Sequence, residues 1–327
     1  MKKRAIAASP FPYDYKDCRL CPRQCHADRT RISAGYPDKS SPTGSGPYAG
    51  FCQSGANVKI ARAALHHWEE PCISGCRGSG TVFFSGCALG CCFCQNHVIS
   101  HQRFGKEVSV QRLAAIFLDL EDQGAHNINL VTATHYLPSV TAALRLVRPH
   151  LTIPVVYNCG GYERPEIVKA LKPYVDIWLP DLKYYSSPLA ARCSGAKDYF
   201  SFASRAIAQM VSQSGPPVMD NNGILQSGVI IRHMVLPSQK EDSFKLLEWI
   251  KDTLPQGHYR LSLLSQYTPC HLVKDTGSYP DLNRKITTYE YEKVLDYAIE
   301  LGLTDGYMQE KTSAKEEYTP PFDLEGV

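Results

Sequence analysis

The 327-residue sequence contains no run of about 18 apolar residues, so no membrane-spanning helix is expected. It also lacks a charge excess. A net charge of +3 gives no reason to expect nucleic acid or an anionic membrane surface as a partner. A signal-peptide core is missing too: the head MKKRAIAASPFPYDY is basic, but its apolar part, AIAA, falls short of about 7–15 residues and Pro10 and Pro12 follow at once. The start is read as a cytoplasmic amino terminus. No internal repeat and no long low-complexity segment interrupts the chain. Cysteine, by contrast, is abundant: there are thirteen, an odd number, grouped in clusters. A disulfide framework favours a short chain with an even count, whereas clustered thiols in a long chain point to metal. An apolar fraction of 43% is enough for a sizeable core.

The first 80 residues are rich in Pro and Gly, with SSPTGSGPYAG near their middle, and read as loop apart from one short helical candidate over 58–68. From Gly80 onward, apolar runs alternate with amphipathic segments. Strands are expected at 81–86, 128–133, 154–158, 176–183, 229–236 and 260–266. Helices are expected at 110–123, 140–147, from Pro165, at 202–211, 243–253 and 289–301. Near-continuous apolar strands followed by helices predict parallel strands buried on both faces, hence an α/β fold. Six right-handed βα units curl into a barrel or an open part-barrel. The expected division is a Cys-rich extension (1–79), the barrel (80–310) and an extended, surface-lying tail (311–327).

The stretch FSGCALGCCFCQNH (84–97) carries Cys87, Cys91 and Cys94 in the spacing C-x3-C-x2-C, on a loop leaving the first strand at its carboxyl end. Barrel chemistry is placed at that end. A cubane iron–sulfur cluster takes four cysteine thiolates, one per iron, so three leave one iron open to another ligand. With Phe93 before the last cysteine, the loop resembles that of the radical S-adenosylmethionine (radical SAM) superfamily. More broadly, CRLCPRQC, EPCISG, GSGTVFFSGC, FCQNHVIS, NINLVTATHYLPS, PVVYNCGGYE, LPDLKYY, VIIRHMVLPS and LSLLSQYTP resemble activating enzymes of pyruvate formate-lyase, and in particular the PflX-type branch of iron–sulfur proteins. These segments run from residue 18 to about 269.

The resemblance implies a partial (β/α)6 TIM-like radical SAM barrel. It also implies a [4Fe–4S] cluster on Cys87, Cys91 and Cys94, with SAM on the open iron. One-electron reduction then cleaves SAM to methionine and a 5′-deoxyadenosyl radical, which abstracts hydrogen, in activating enzymes from a glycine of a glycyl radical enzyme. A one-electron donor such as flavodoxin or ferredoxin is implied with it. Asn96 matches an asparagine beside SAM. Asn158 matches an aspartate near the SAM pocket and a monovalent cation site, and the change from Asp removes a charge. Asp181 and Lys183 match a DLK motif that contacts SAM. Where activating enzymes hold the SAM amino group with a GGE-like turn, this chain has Ala133, Thr134 and His135, leaving that contact to the backbone or to Thr134.

Arg232 and His233 sit in a buried-looking strand, where charges are expected only if paired or at a site. Alternation sends them to opposite faces, and an inward Arg232 suits bidentate binding of a carboxylate. Arg232 and His135 are the candidate catalytic residues. Cys18, Cys21 and Cys25, with Cys52, form a possible second metal site for an iron–sulfur cluster or a zinc ion. Other readings are radical modification of another peptide or small molecule, and a non-catalytic electron-transfer or zinc-organised protein. In the zinc reading, Cys92 or Cys76 would complete the set on the loop. Cys72 and Cys76 are weaker ligand candidates, while Cys159, Cys193 and Cys270 read as ordinary buried thiols.

Overall fold

The computed structural model describes residues 10–31, 50–309 and 319–327. The basic head, most of SSPTGSGPYAG and the first part of the tail lie outside the described residues. Among the described residues ten strands form the sheet: β1 (Val58–His66), β2 (Ser79–Phe84), β3 (Lys106–Val108), β4 (Ile128–Val131), β5 (Val155–Cys159), β6 (Ile177–Pro180), β7 (Val218–Met219), β8 (Leu225–Met234), β9 (Arg260–Leu264) and β10 (Gly306–Met308). Their order is β10-β9-β8-β6-β5-β4-β2-β1-β3, with β7 on β8. From β2 through β10 the neighbours along this order are parallel, whereas β1 is antiparallel to β2 and β3. The end strands β3 and β10 do not meet, so the sheet is an open part-barrel. The six expected parallel strands are β2, β4, β5, β6, β8 and β9.

Both faces of these strands are largely buried, which explains their near-continuous apolar runs. On the outer face Val155, Tyr157, Trp178, Val229 and Ile231 join a large core with the helices, among them Val110–Asp122, Leu137–Val147 and Tyr199–Ser214. On the inner face Val156, Ile177, Leu179 and Ile230 pack on Cys72 and Ile73, which belong to the short helix Pro71–Ser74. Two of the helices that frame the sheet start on a side-chain cap: Ser109 accepts from Arg112 N, and Thr287 with Glu290 closes a capping box.

The segment expected as a helix at 58–68 is instead β1. Its register on β2 shifts between Ile60 and Arg62, so Ile60 and the following Ala61 are both buried. That bulge breaks the two-residue period and leaves apolar spacing that mimics a helix. Beyond β3, the described tail continues the pairing on β1: Ala63 N donates to Glu325 O (2.8 Å) and Leu324 N to Ala61 O (3.0 Å). Arg62 pairs with Asp323 and Glu325, and the Phe322 ring lies 5.5 Å from that of Phe83.

Candidate functional site

A cavity of about 250 Å³ opens at the carboxyl ends of the strands. The loop after β2 lines it with Cys87, Cys91, Cys94, Gln95 and Asn96. The later strands add Thr132, Thr134, Asn158, Glu163, Asp181, Lys183 and Arg232. Each loop sulfur accepts a hydrogen bond: Cys87 from Leu89 N (3.3 Å), Cys91 from Ser194 Oγ (3.0 Å) and Cys94 from Ser100 Oγ (3.2 Å). Burial pushes the Cys87 thiol up, and that of Cys94 to about 12. Thiolates there need a positive partner, and hydrogen bonds to sulfur are one means of setting a cluster's potential. Cys92 turns away, its N–H donating to Cys193 O (2.8 Å), and Cys76 lies 4.0 Å from His126 Nε2. Neither joins the three.

The floor of the cavity is a polar network. Arg232 donates to Asp181 Oδ1 (2.9 Å), Glu69 Oε2 (3.1 Å) and Asn158 Oδ1 (2.5 Å). Strand pairing sets this up, because Asp181 and Arg232 are bridged across the β6–β8 gap. Burial disfavours the Arg232 cation, but the facing carboxylates of Asp181, Glu69 and Glu70 outweigh it and raise its pKa. Burial likewise disfavours an ionised Asp181, yet Arg232 and Lys183, the latter at 2.6 Å, hold it below the usual range. Arg232 faces inward as expected, although the carboxylates it binds are the protein's own. His233 points outward, with Nδ1 at 2.7 Å from Leu182 O and Nε2 at 2.8 Å from Ser243 Oγ. His135 is buried outside the cavity lining, its Nε2 2.8 Å from Ser85 O, and burial next to Arg29 lowers its pKa to about 3.

Thr134 sits at the end of β4, where it donates to Glu163 Oε1 (2.7 Å). Glu163 Oε2 makes no hydrogen bond among the described residues, although Tyr157 and Cys159 lie beside the carboxyl. Burial drives the Glu163 pKa up to about 8, only partly offset by these neighbours. Gly161 places it: its φ is +76°, and a Cβ there would meet Asp181 O at 2.0 Å. Thr132, a β-branched residue at φ +59°, marks strain in the adjoining turn.

Sequence reasoning missed Glu69 and Glu163. Glu163 lay within the quoted PVVYNCGGYE, but only the fold shows that its carboxyl is buried. Glu69 precedes the helix that plugs the barrel floor, and no local pattern marks it. The second cysteine set is brought together: Cys25 lies beside Cys18, and Cys21 is within electrostatic reach of Cys52 and Cys18. Cys72 lies apart from both sets, against Tyr307.

The radical SAM superfamily pattern matches residues 81–249, more than half of the chain. The chain belongs to the radical SAM superfamily. The family implies a [4Fe–4S] cluster and SAM, and the donor set fits them: the buried Cys91 thiol and the half-buried thiols of Cys87 and Cys94 share a cavity with an orphaned carboxyl oxygen and paired charges. The uncharacterized protein MJ0674 of Methanocaldococcus jannaschii is 28% identical over 299 residues, 88% of this chain and 76% of its own. Among solved structures, Streptococcus suis SuiB bound to precursor peptide SuiA matches at 14% identity and TM-score 0.46, over 68% of this chain. The chain spans 46% of that protein's length. A domain of pyruvate-formate lyase-activating enzyme from Bacteroides vulgatus matches at 12% identity and TM-score 0.34, over 62% of this chain and 91% of its own. Among the described residues no helix is long and apolar enough to cross a membrane.

Proposed function

We propose that this radical SAM enzyme cleaves SAM reductively in the cavity and abstracts hydrogen from a glycine of a glycyl radical enzyme, as the resemblance to activating enzymes implies. The observation that carries the radical chemistry is the single cavity joining the three thiols of the β2 loop to the polar ends of β4, β5, β6 and β8. In this reading Cys87, Cys91 and Cys94 hold the cluster, and Asn96, Thr134, Asn158, Asp181 and Lys183 surround SAM. Bound there, cluster and SAM supply a 5′-deoxyadenosyl radical from the one-electron cleavage of the sulfonium.

The chain's own groups bind and orient. Glu163, fixed by Thr134, offers the free carboxyl oxygen that the amino group of SAM requires, in place of the GGE-like turn. Arg232 holds Asp181 and Asn158 in place and serves as a positioning residue. The sulfur hydrogen bonds from Leu89, Ser194 and Ser100 stabilise thiolate charge. A flavodoxin or ferredoxin as electron donor, a cytoplasmic location and the division into extension, barrel (80–310) and tail belong to the same proposal.

The test is anaerobic. The protein is reconstituted with iron and sulfide, reduced with dithionite and given SAM, and 5′-deoxyadenosine is quantified beside Cys94→Ala. Product from the wild type and none from the variant is expected. A fully loaded cluster whose EPR spectrum ignores SAM would sink the reading. Glycine abstraction is tested separately, by the appearance of a glycyl EPR doublet on a glycyl radical enzyme added to the same mixture.

A further inference from the structure

We propose that Cys18, Cys21, Cys25 and Cys52 hold a second iron–sulfur cluster. The inference concerns the amino-terminal extension and stands independently of the reading of the β2 loop. Thiols from two separate turns approach one another: Cys25 lies beside Cys18, and Cys21 is within electrostatic reach of Cys18 and Cys52. The first turn is closed by backbone hydrogen bonds from Cys18 N to Ala27 O, His26 N to Cys18 O and Gln24 N to Cys21 O, each 3.1 Å. Gln24 and His26 flank Cys25 at φ of +38° and +54°, and Gln53 follows Cys52 at +50°. The second turn, with Gln53 N donating to Gly50 O (2.9 Å), reaches the first because Gly50 has no side chain. A Cβ on Gly50 would lie 2.3 Å from Cys25 Sγ, so the bare glycine lets the second turn pack directly on the Cys25 side chain.

The surroundings suit an anionic metal centre. Arg29 is fully buried, and its Nη1 lies 3.6 Å from Cys18 Sγ. Its other donors hold Ser54 O (2.7 Å), Gly55 O (2.7 Å) and His135 O (2.5 Å), which fixes the guanidinium against the sulfur. A cation locked beside thiolates offsets the charge that four of them bring, as the donors to the β2-loop sulfurs do there.

The class of metal follows from the arrangement. A tetrathiolate zinc needs every sulfur about 2.3 Å from one point. Both thiol sets are furnished alike, with donors placed on cysteine sulfurs: Arg29 Nη1 on Cys18 here, and Leu89 N, Ser194 Oγ and Ser100 Oγ on the β2 loop. A cubane binds each thiolate on a different iron and does not require the sulfurs to converge. The two sets are also physically joined: Arg23, between Cys21 and Cys25, donates to Ala88 O (3.0 Å), within the β2 loop.

The full-length chain, wild type and Cys87→Ala/Cys91→Ala/Cys94→Ala, is reconstituted anaerobically with iron(II) and sulfide. About eight irons per wild-type chain and about four in the triple variant are expected, with a cubane Mössbauer spectrum in both. Adding Cys21→Ser and Cys52→Ser to the triple variant should remove the rest. A Cys92→Ala/Cys159→Ala protein, altered outside both sets, controls for misfolding and should keep all the iron. A folded triple variant that binds no iron would overturn the proposal, as would one zinc per chain that iron does not replace. A wild type and triple variant that both hold about four irons would uphold this site and instead defeat the cluster on the β2 loop.

Discussion

Glu163 is a buried acid whose one oxygen is held by Thr134 while the other makes no hydrogen bond among the described residues. Its pKa lies near 8 in the fold against an ordinary 4.5. Between those values the folded protein keeps a proton that the unfolded chain has released, so stability falls as pH rises. The apo protein should therefore lose stability, on the order of a few kcal/mol, from pH 5 to 8, whereas Glu163→Gln should show a flatter profile. Urea midpoints at several pH values check this, and parallel profiles would refute it. The same variant should weaken SAM binding about tenfold or more, because a charge-assisted hydrogen bond contributes about 1.5–3 kcal/mol. The neighbouring network predicts a different effect. Arg232→Met leaves Glu69 and Asp181 facing each other without their shared cation and should cost about 3–5 kcal/mol in denaturant unfolding.

At the scale of elements, the described tail takes over the edge of β1 where β3 ends. β3 pairs with residues 58–60, and the tail contacts Ala61 and Ala63. Phe322→Ala should loosen that contact and speed hydrogen exchange at the Ala63 amide, while amides of β5 keep their protection. Equal change at both sites would mean that the tail supports the whole fold. The elements also differ in how far the sequence revealed them. The six parallel strands were legible because burial on both faces favours apolar residues at most positions. β1 was not, because its bulge imitates helical spacing, and β10 is too short for any period. The cysteine loop was legible from spacing alone. The roles of Glu69 and Glu163 were not, because a buried carboxylate looks like any surface acid until distant strands enclose it. Arg232 lies between these cases: its inward direction follows from alternation, whereas its partners come from three other segments.

For the whole molecule, the question is what fastens residues 10–31 to the parallel strands and their loops. Among the described residues, three arginines tie residues 10–31 to later parts of the chain, and each donates to main-chain carbonyls. Arg23 reaches Ala88, Ser194 and Gly195, Arg164 reaches Arg19, and Arg29 joins Ser54 and Gly55 to His135. Carbonyls cannot be titrated, so this attachment should be insensitive to pH over the neutral range and little affected by salt, unlike surface ion pairs. Arg29 is the buried member, and Arg29→Ala leaves three carbonyls without their donor at about 1–3 kcal/mol each where they remain buried. The expected result is a loss of about 3 kcal/mol or more of docking free energy. Limited proteolysis should then cut within residues 10–31 while the barrel fragment stays intact. Arg23→Ala, at the more exposed contact, should show a smaller effect in the same assay. If Arg29→Ala instead unfolds the barrel together with the extension, the two are one cooperative unit, and β1 is the element that couples them.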